Sequence, residues 1–138
     1  MPRFVDTNVL VYAVDRDEST KRDLARALLA PRPDFDLILS AQVLGEFYVV
    51  ATRKLARPVA PADAGAMVDQ LRRLPTVAID AELVAAAISG SREWQVSYWD
   101  ALILRSAERA GCDVVLSEDF ADGAQYGRVR VENPFATA

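Results

Sequence analysis

Asp6, Glu46, Asp100 and Asp119 lie far apart in a chain of 138 residues, yet each falls where a strand is expected to end or a helix to begin. Carboxylates gathered in that way bind hard divalent cations through oxygen, and a cation so held activates water for hydrolysis. The chain contains no histidine and one cysteine, Cys112. Most other routes to hydrolytic catalysis are thereby closed, and an oxygen-only donor set suits Mg²⁺ or Mn²⁺ rather than zinc.

Each acid also has a plainer use. Asp6 follows Phe4-Val5 at the carboxyl end of a first strand, where open parallel sheets bind ligands, but it would equally cap a helix starting near Asn8. Thr7 and Asn8 add two oxygen-bearing side chains beside it. Glu46 has Gln42, Val43, Val49 and Val50 three and four places away, so three of its four helical neighbours are apolar. An ionised carboxylate among valines is costly unless paired or metal-bound. Leu44, Phe47, Tyr48, Ala51 and Leu55 make the rest of that helix apolar as well, which predicts burial around much of its circumference.

Asp100 sits in Ser97-Tyr98-Trp99-Asp100, the S-x-x-D form of a capping box. Its neighbours Ile103 and Leu104 place it on the inward side or the edge of its helix, away from Arg105, Glu108 and Arg109. Asp119 closes Val114-Val115-Leu116-Ser117-Glu118-Asp119, just past another strand, and its alternative use is as a turn acid. Glu118 reads as an exposed residue, and Asp122 as an outer helper or second-metal ligand. Four carboxylates at one sheet edge repel, which raises their pKa values until cations arrive.

The elements that must position these acids alternate between short apolar runs and helical stretches, the pattern of an α/β fold with a parallel sheet. Five strands are expected, at Arg3 to Val5, Leu37 to Leu39, Thr76 to Ile79, Asp113 to Leu116 and Arg128 to Val131. Helices are expected within Asn8 to Leu29, from Ala41 to about Leu55, from Pro61 to Leu74, from Asp80 to Glu93 and from Tyr98 to Ala110, with Gly111 as a stop. The segment Ala56 to Pro61 reads as a connection, so residues 1–138 form one domain. Phe135 is the only anchor of the tail from Phe135 to Ala138.

Composition agrees with a globular protein: 51% hydrophobic and 26% charged residues. The apolar run Val9 to Val14 is far shorter than the roughly 20 residues that cross a bilayer, and it lacks the flanks of a signal peptide. A cytoplasmic protein is expected. Cys112 has no intrachain partner and reads as a small buried residue at a helix-to-strand junction. The net charge of −4 advertises no polyanion partner. Acidic metal sites carry such charge without their ions, however, so nucleic acid is not excluded.

The chain resembles the PIN-domain ribonucleases, and within them the VapC-type toxins of bacterial toxin–antitoxin pairs. The resemblance is carried by Phe4-Val5-Asp6-Thr7-Asn8-Val9-Leu10-Val11-Tyr12, by Glu46 after Ser40 to Gly45, by Tyr98-Trp99-Asp100-Ala101-Leu102-Ile103, by Leu116 to Gly123 and by Val131-Glu132-Asn133-Pro134-Phe135. It implies a Rossmann-like α/β/α sandwich with a central parallel sheet and metal-dependent hydrolysis of RNA phosphodiesters. It also implies an acidic quartet on Asp6, Glu46, Asp100 and Asp119, with Thr7, Asn8 and Ser117 supporting. Homodimers and a cognate antitoxin protein follow from the same resemblance.

With no histidine for proton transfer, the expected chemistry is in-line attack by water activated on one or two Mg²⁺ or Mn²⁺ ions. Arg53, Lys54, Arg57, Arg72 and Arg73 are candidates for holding RNA, although cations at helix ends also answer the helix dipole. An aspartyl-nucleophile phosphatase would want a second aspartate where Asn8 stands. A receiver domain would need a lysine late in the sheet, and the last lysine is Lys54; no G-x-x-x-x-G-K loop is present. The alternative from another class is a non-catalytic protein-binding module whose acids are helix caps.

Overall fold

The computed structural model describes residues 2–136. Along the chain run β1 (Arg3–Val5), α1 (Thr7–Tyr12), α2 (Ser19–Leu29), β2 (Leu37–Ser40), α3 (Ala41–Arg53), α4 (Pro61–Leu71), β3 (Thr76–Val77), α5 (Ala81–Trp94), α6 (Tyr98–Arg109), β4 (Val114–Leu116), β5 (Gln125–Tyr126) and β6 (Val129–Glu132). The strands form one six-stranded sheet in the order β3-β2-β1-β4-β6-β5.

Short apolar strands such as Phe4-Val5 and Val115-Leu116 are fully buried because helices cover both faces of a parallel sheet. The path moves outward from β1 to β2 to β3, then returns past β1 to β4. With right-handed crossovers, that reversal sets α1 to α4 on one face and α5 and α6 on the other. Phe4, Leu39, Phe47, Leu104 and Val115 anchor the main core, and Leu83, Ala87, Ala101 and Leu102 form a smaller one between α5 and α6. Each fully buried side chain of that size stabilises the fold by about 1.5–3 kcal/mol.

Side-chain caps start the helices that matter for the site. Asp6 accepts from the Thr7 amide, Ser40 from Val43, Asp80 from Leu83 and Ser97 from Asp100. Gly111, at φ +76°, takes the left-handed conformation that ends α6 and turns the chain into β4. Cys112 is 2% exposed at that junction, and burial pushes its thiol up to about 11, so it is an inert core residue.

The sheet has one strand more than the five expected, and it is not wholly parallel. β5 is two residues long and pairs antiparallel with β6, with Tyr126 opposite Val129. A two-residue strand is too short to show any periodicity. The hairpin that makes it turns on Gly127, at φ +58°, followed by Arg128. β3 ends at Val77 rather than Ile79, and both residues pack against the small core of α5 and α6. α4 ends at Leu71, three residues early. Phe135 is buried and packs edge-on against Tyr12 at 4.9 Å, whereas residues 137–138 of the tail lie outside the described residues.

Candidate active site

Strand order reverses between β1 and β4, and the carboxyl ends of two such neighbours open a crevice where α/β sheets place their ligands. Asp6 leaves the end of β1 and Ser117, Glu118 and Asp119 leave the end of β4. The Asp6 amide donates to the Leu116 carbonyl at 3.1 Å, so the two strand ends are locked together.

Asp6 is 5% exposed. Its Oδ1 accepts from the Thr7 amide at 2.7 Å, and its Oδ2 accepts from the Ser117 hydroxyl at 2.7 Å and from Asn8 Nδ2 at 3.3 Å. Burial pushes its carboxyl up from the ordinary 3.8 to about 6; the Ser117 and Thr7 hydrogen bonds oppose that rise, while Asp119 and Glu46 add to it. Asp6 is thus both the cap of α1 and a carboxylate buried where β1 ends.

Ser117 and Asn8 tie the two halves together. Ser117 Oγ also accepts from Asn8 Nδ2 at 3.0 Å and from the Asp119 amide at 3.1 Å, and Asn8 Oδ1 accepts from the Glu118 amide at 3.2 Å. One serine therefore orients Asp6 directly and Asp119 through its backbone. Glu46 enters from α3, half-buried, with its Oε2 accepting from Thr7 Oγ1 at 3.4 Å. A cavity of about 320 Å³ is lined by Thr7, Asn8, Tyr12, Asp15, Glu46 and Asp119.

Asp100 lies in the first turn of α6, and its amide donates to Ser97 Oγ at 3.0 Å, so its segment does form the expected cap. Its side chain is half-buried and its pKa is raised by burial and by the Asp119 carboxylate, against the lowering effect of Ser97. Asp119 is exposed and is the acid whose charge reaches both Asp6 and Asp100. Asp122 is exposed too; its Oδ1 accepts from the Asn133 amide at 2.9 Å, and no hydrogen bond joins it to the four acids among the described residues.

Two readings of the sequence change here. α3 is not buried around most of its circumference: Val43, Phe47 and Ala51 face the core, whereas Val49 is 46% and Tyr48 38% exposed. Hydrophobicity alone does not distinguish a buried helix face from an apolar surface face. Glu118, expected to be merely exposed, is half-buried, hydrogen-bonded by Tyr12 Oη and ion-paired with Lys21 Nζ at 3.1 Å. Lys21 also lies 4.8 Å from the centre of the Tyr12 ring. Tyr12 and Asp15 line the cavity and Lys21 bonds to Tyr12 and Glu118 beside it; none is among the candidates read from the sequence, although Tyr12 closes the first motif and Asp15 is a carboxylate just past it.

The donor set fits a hard divalent cation: the acids are oxygen donors, one of them desolvated and raised by its anionic neighbours. Among the described residues, however, no three acidic or cysteine side chains already stand together at metal-holding geometry.

An open α/β sheet with carboxylates at its switch point defines a class of protein whose chemistry is acidic and oxygen-based. The family model for the PIN domain matches residues 3–121, and the chain belongs to that family. No curated protein sequence matches it significantly. Among solved structures, it is similar to Mycobacterium tuberculosis VapC20, a Sarcin-Ricin loop cleaving toxin, at 21% identity and TM-score 0.65, covering 93% of this chain and 98% of that one. A toxin–antitoxin complex from Klebsiella pneumoniae is similar at 20% identity and TM-score 0.67, covering 96% and 97%. VapBC2 from Rickettsia felis, bound to a DNA fragment from its promoter, follows at 16% and 0.67, covering 96% and 98%. At these identities the likeness establishes the fold.

Proposed function

We propose that this protein is a Mg²⁺- or Mn²⁺-dependent endoribonuclease, the toxin of a type II toxin–antitoxin pair. The observation that carries the reading is Asp6: a carboxylate 5% exposed at the switch point, with Asp119 and Glu46 close enough to raise it further. Burying an anion among anions is unfavourable unless a cation joins them. Membership of the PIN family, and the Sarcin-Ricin loop cleaving activity named for one structural neighbour, support RNA as the substrate.

Asp6, Glu46, Asp100 and Asp119 would hold one or two ions. When bound, such an ion supplies Lewis-acid charge at the phosphate and lowers the pKa of water. The chain's own part is positioning. Ser117 and the Thr7 amide hold both oxygens of Asp6, Thr7 steadies Glu46, and Asn8 holds the loop that carries Asp119. Asp122 would fix that loop against Asn133. The same reading takes residues 1–138 as one cytoplasmic nuclease domain that forms a homodimer and is blocked by a cognate antitoxin.

Purified protein incubated with RNA tests the reading. Cleavage should require Mg²⁺ or Mn²⁺, stop with EDTA, and disappear in Asp6→Asn and Asp119→Asn variants that keep the wild-type circular dichroism. Equal cleavage by those variants would remove the assignment.

A further inference from the structure

A second cavity, of about 540 Å³, opens on the far side of the turn that follows α1. Asp15 lines the acidic cavity, while the next residue, Arg16, lines this one beside Arg22 and Arg26. Arg22 and Arg26 are one helical turn apart on α2, so their side chains share a face. The floor comes from Val14, Val59 and Met67, and Asp63 is the single acid on the lining. In a chain of net charge −4, three guanidiniums against one carboxylate reverse the local sign.

Two of these arginines carry features that call for an anion. Among the described residues Arg22 Nε is buried with no hydrogen-bond partner; its ion pair with Asp23, at 3.9 Å, is too long for a hydrogen bond, and its side chain stays 28% exposed. With Nε buried, only the terminal nitrogens of Arg22 can meet an anion, and among the described residues they make no hydrogen bond, which leaves a partly desolvated cation without an acceptor. Arg26 is fixed by Nε donating to the Ala13 carbonyl at 2.8 Å, and among the described residues its terminal nitrogens make no hydrogen bond. The turn carrying Arg16 is held as well, since Arg57 donates to the Arg16 carbonyl at 3.1 Å and to Asp17 at 2.6 Å.

We propose that Arg16, Arg22 and Arg26 form a phosphate-binding subsite that grips the backbone of a single-stranded RNA whose scissile bond lies at the acidic cavity. The inference rests on the ribonuclease reading and adds the route of the strand. It also moves RNA binding away from Arg57 and Arg72, whose guanidiniums already donate hydrogen bonds to Asp17 and Asp69. Guanidinium groups suit phosphate oxygens because their planar N–H fork matches two acceptors at once.

The test is the affinity of metal-free protein in EDTA for a fluorescent single-stranded RNA, with inorganic phosphate and poly-glutamate as separate probes. Arg22→Gln combined with Arg26→Gln should weaken RNA binding about tenfold or more. It should also make the salt dependence shallower by about 1.4 in log–log slope, the value for two lost phosphate contacts on a single strand. Arg16→Gln, at an exposed position, should weaken it in the same direction and decides the matter if the double variant fails to fold. Unchanged RNA affinity in a folded double variant and in Arg16→Gln overturns the subsite. Loss of poly-glutamate binding with RNA affinity intact would assign the cavity to an acidic protein segment instead, and loss of inorganic phosphate binding alone would mark a site for free phosphate. Wild type that cleaves RNA in Mg²⁺ while both variants bind normally removes only the subsite. Wild type that neither binds nor cleaves RNA removes the ribonuclease reading itself.

Discussion

Ser117 donates its hydroxyl hydrogen to Asp6 Oδ2 at 2.7 Å, joining residues separated by 111 positions in the chain and lying at the ends of neighbouring strands. The Ser117 Oγ in turn accepts from the Asp119 amide at 3.1 Å. Ser117→Ala should therefore disturb two acids at once. Activity or apparent Mg²⁺ affinity is expected to fall about 10- to 100-fold, the usual cost of removing a hydrogen bond that orients a ligand. Stability should fall by about 1–3 kcal/mol, because buried groups lose a partner. A Mg²⁺ titration of cleavage, run beside a thermal melt, separates the two effects.

Asp6 gives a pH dependence with a definite sign. Its folded pKa of about 6 lies above the ordinary 3.8, so the folded state binds the proton more tightly and stability falls as pH rises between those values. Without metal the wild type should be more stable near pH 4 than near pH 7 as far as this group is concerned, by about 3 kcal/mol at most. Asp6→Asn should flatten that slope and raise Tm at pH 7 while abolishing activity. An unchanged pH profile in the variant would show that Asp6 is not the group responsible.

Metal itself should stabilise the fold. At a hundred times its Kd, an ion bound only by the folded state adds about 2.7 kcal/mol. Mg²⁺ or Mn²⁺ should thus raise Tm for the wild type and much less for Asp100→Asn. Equal shifts would favour the alternative in which the acids merely cap helices, a role that Asp6 and the Ser97–Asp100 pair do also fill.

Much of this was legible in the sequence, for reasons particular residues make plain. Buried parallel strands read as short apolar runs, so β1, β2 and β4 were visible, and side-chain caps such as Ser97 and Asp80 marked helix starts within a residue. β5 was not legible, since two residues carry no period and its pairing depends on a glycine turn. The position of Asp6 beside the Ser117–Asp119 segment followed from parallel topology. The hold of Tyr12 and Lys21 on Glu118 did not, because it depends on how a loop folds back across α1 and α2. Tyr48 and Val49 are exposed where the sequence predicts burial, because an apolar surface face and a core face look alike in sequence.

Glu46 depends on its neighbour. Phe47 is 1% exposed and fastens α3 to the main core, one residue from the acid. Phe47→Ala should destabilise the protein by about 3–5 kcal/mol. Activity measured well below the lowered Tm should persist in part, whereas Glu46→Gln should lose activity with its Tm unchanged or raised. A urea titration with parallel cleavage assays distinguishes them.

The central claim, hydrolysis of RNA by water at a carboxylate-held cation, is tested most directly by sequencing the 5′ ends of RNA fragments produced with Mg²⁺ by the wild type beside Asp6→Asn. The account predicts discrete fragments carrying 5′-phosphate and 3′-hydroxyl ends, present with the wild type and absent with the variant. Fragments with 5′-hydroxyl ends, or the same fragments from both proteins, would contradict it.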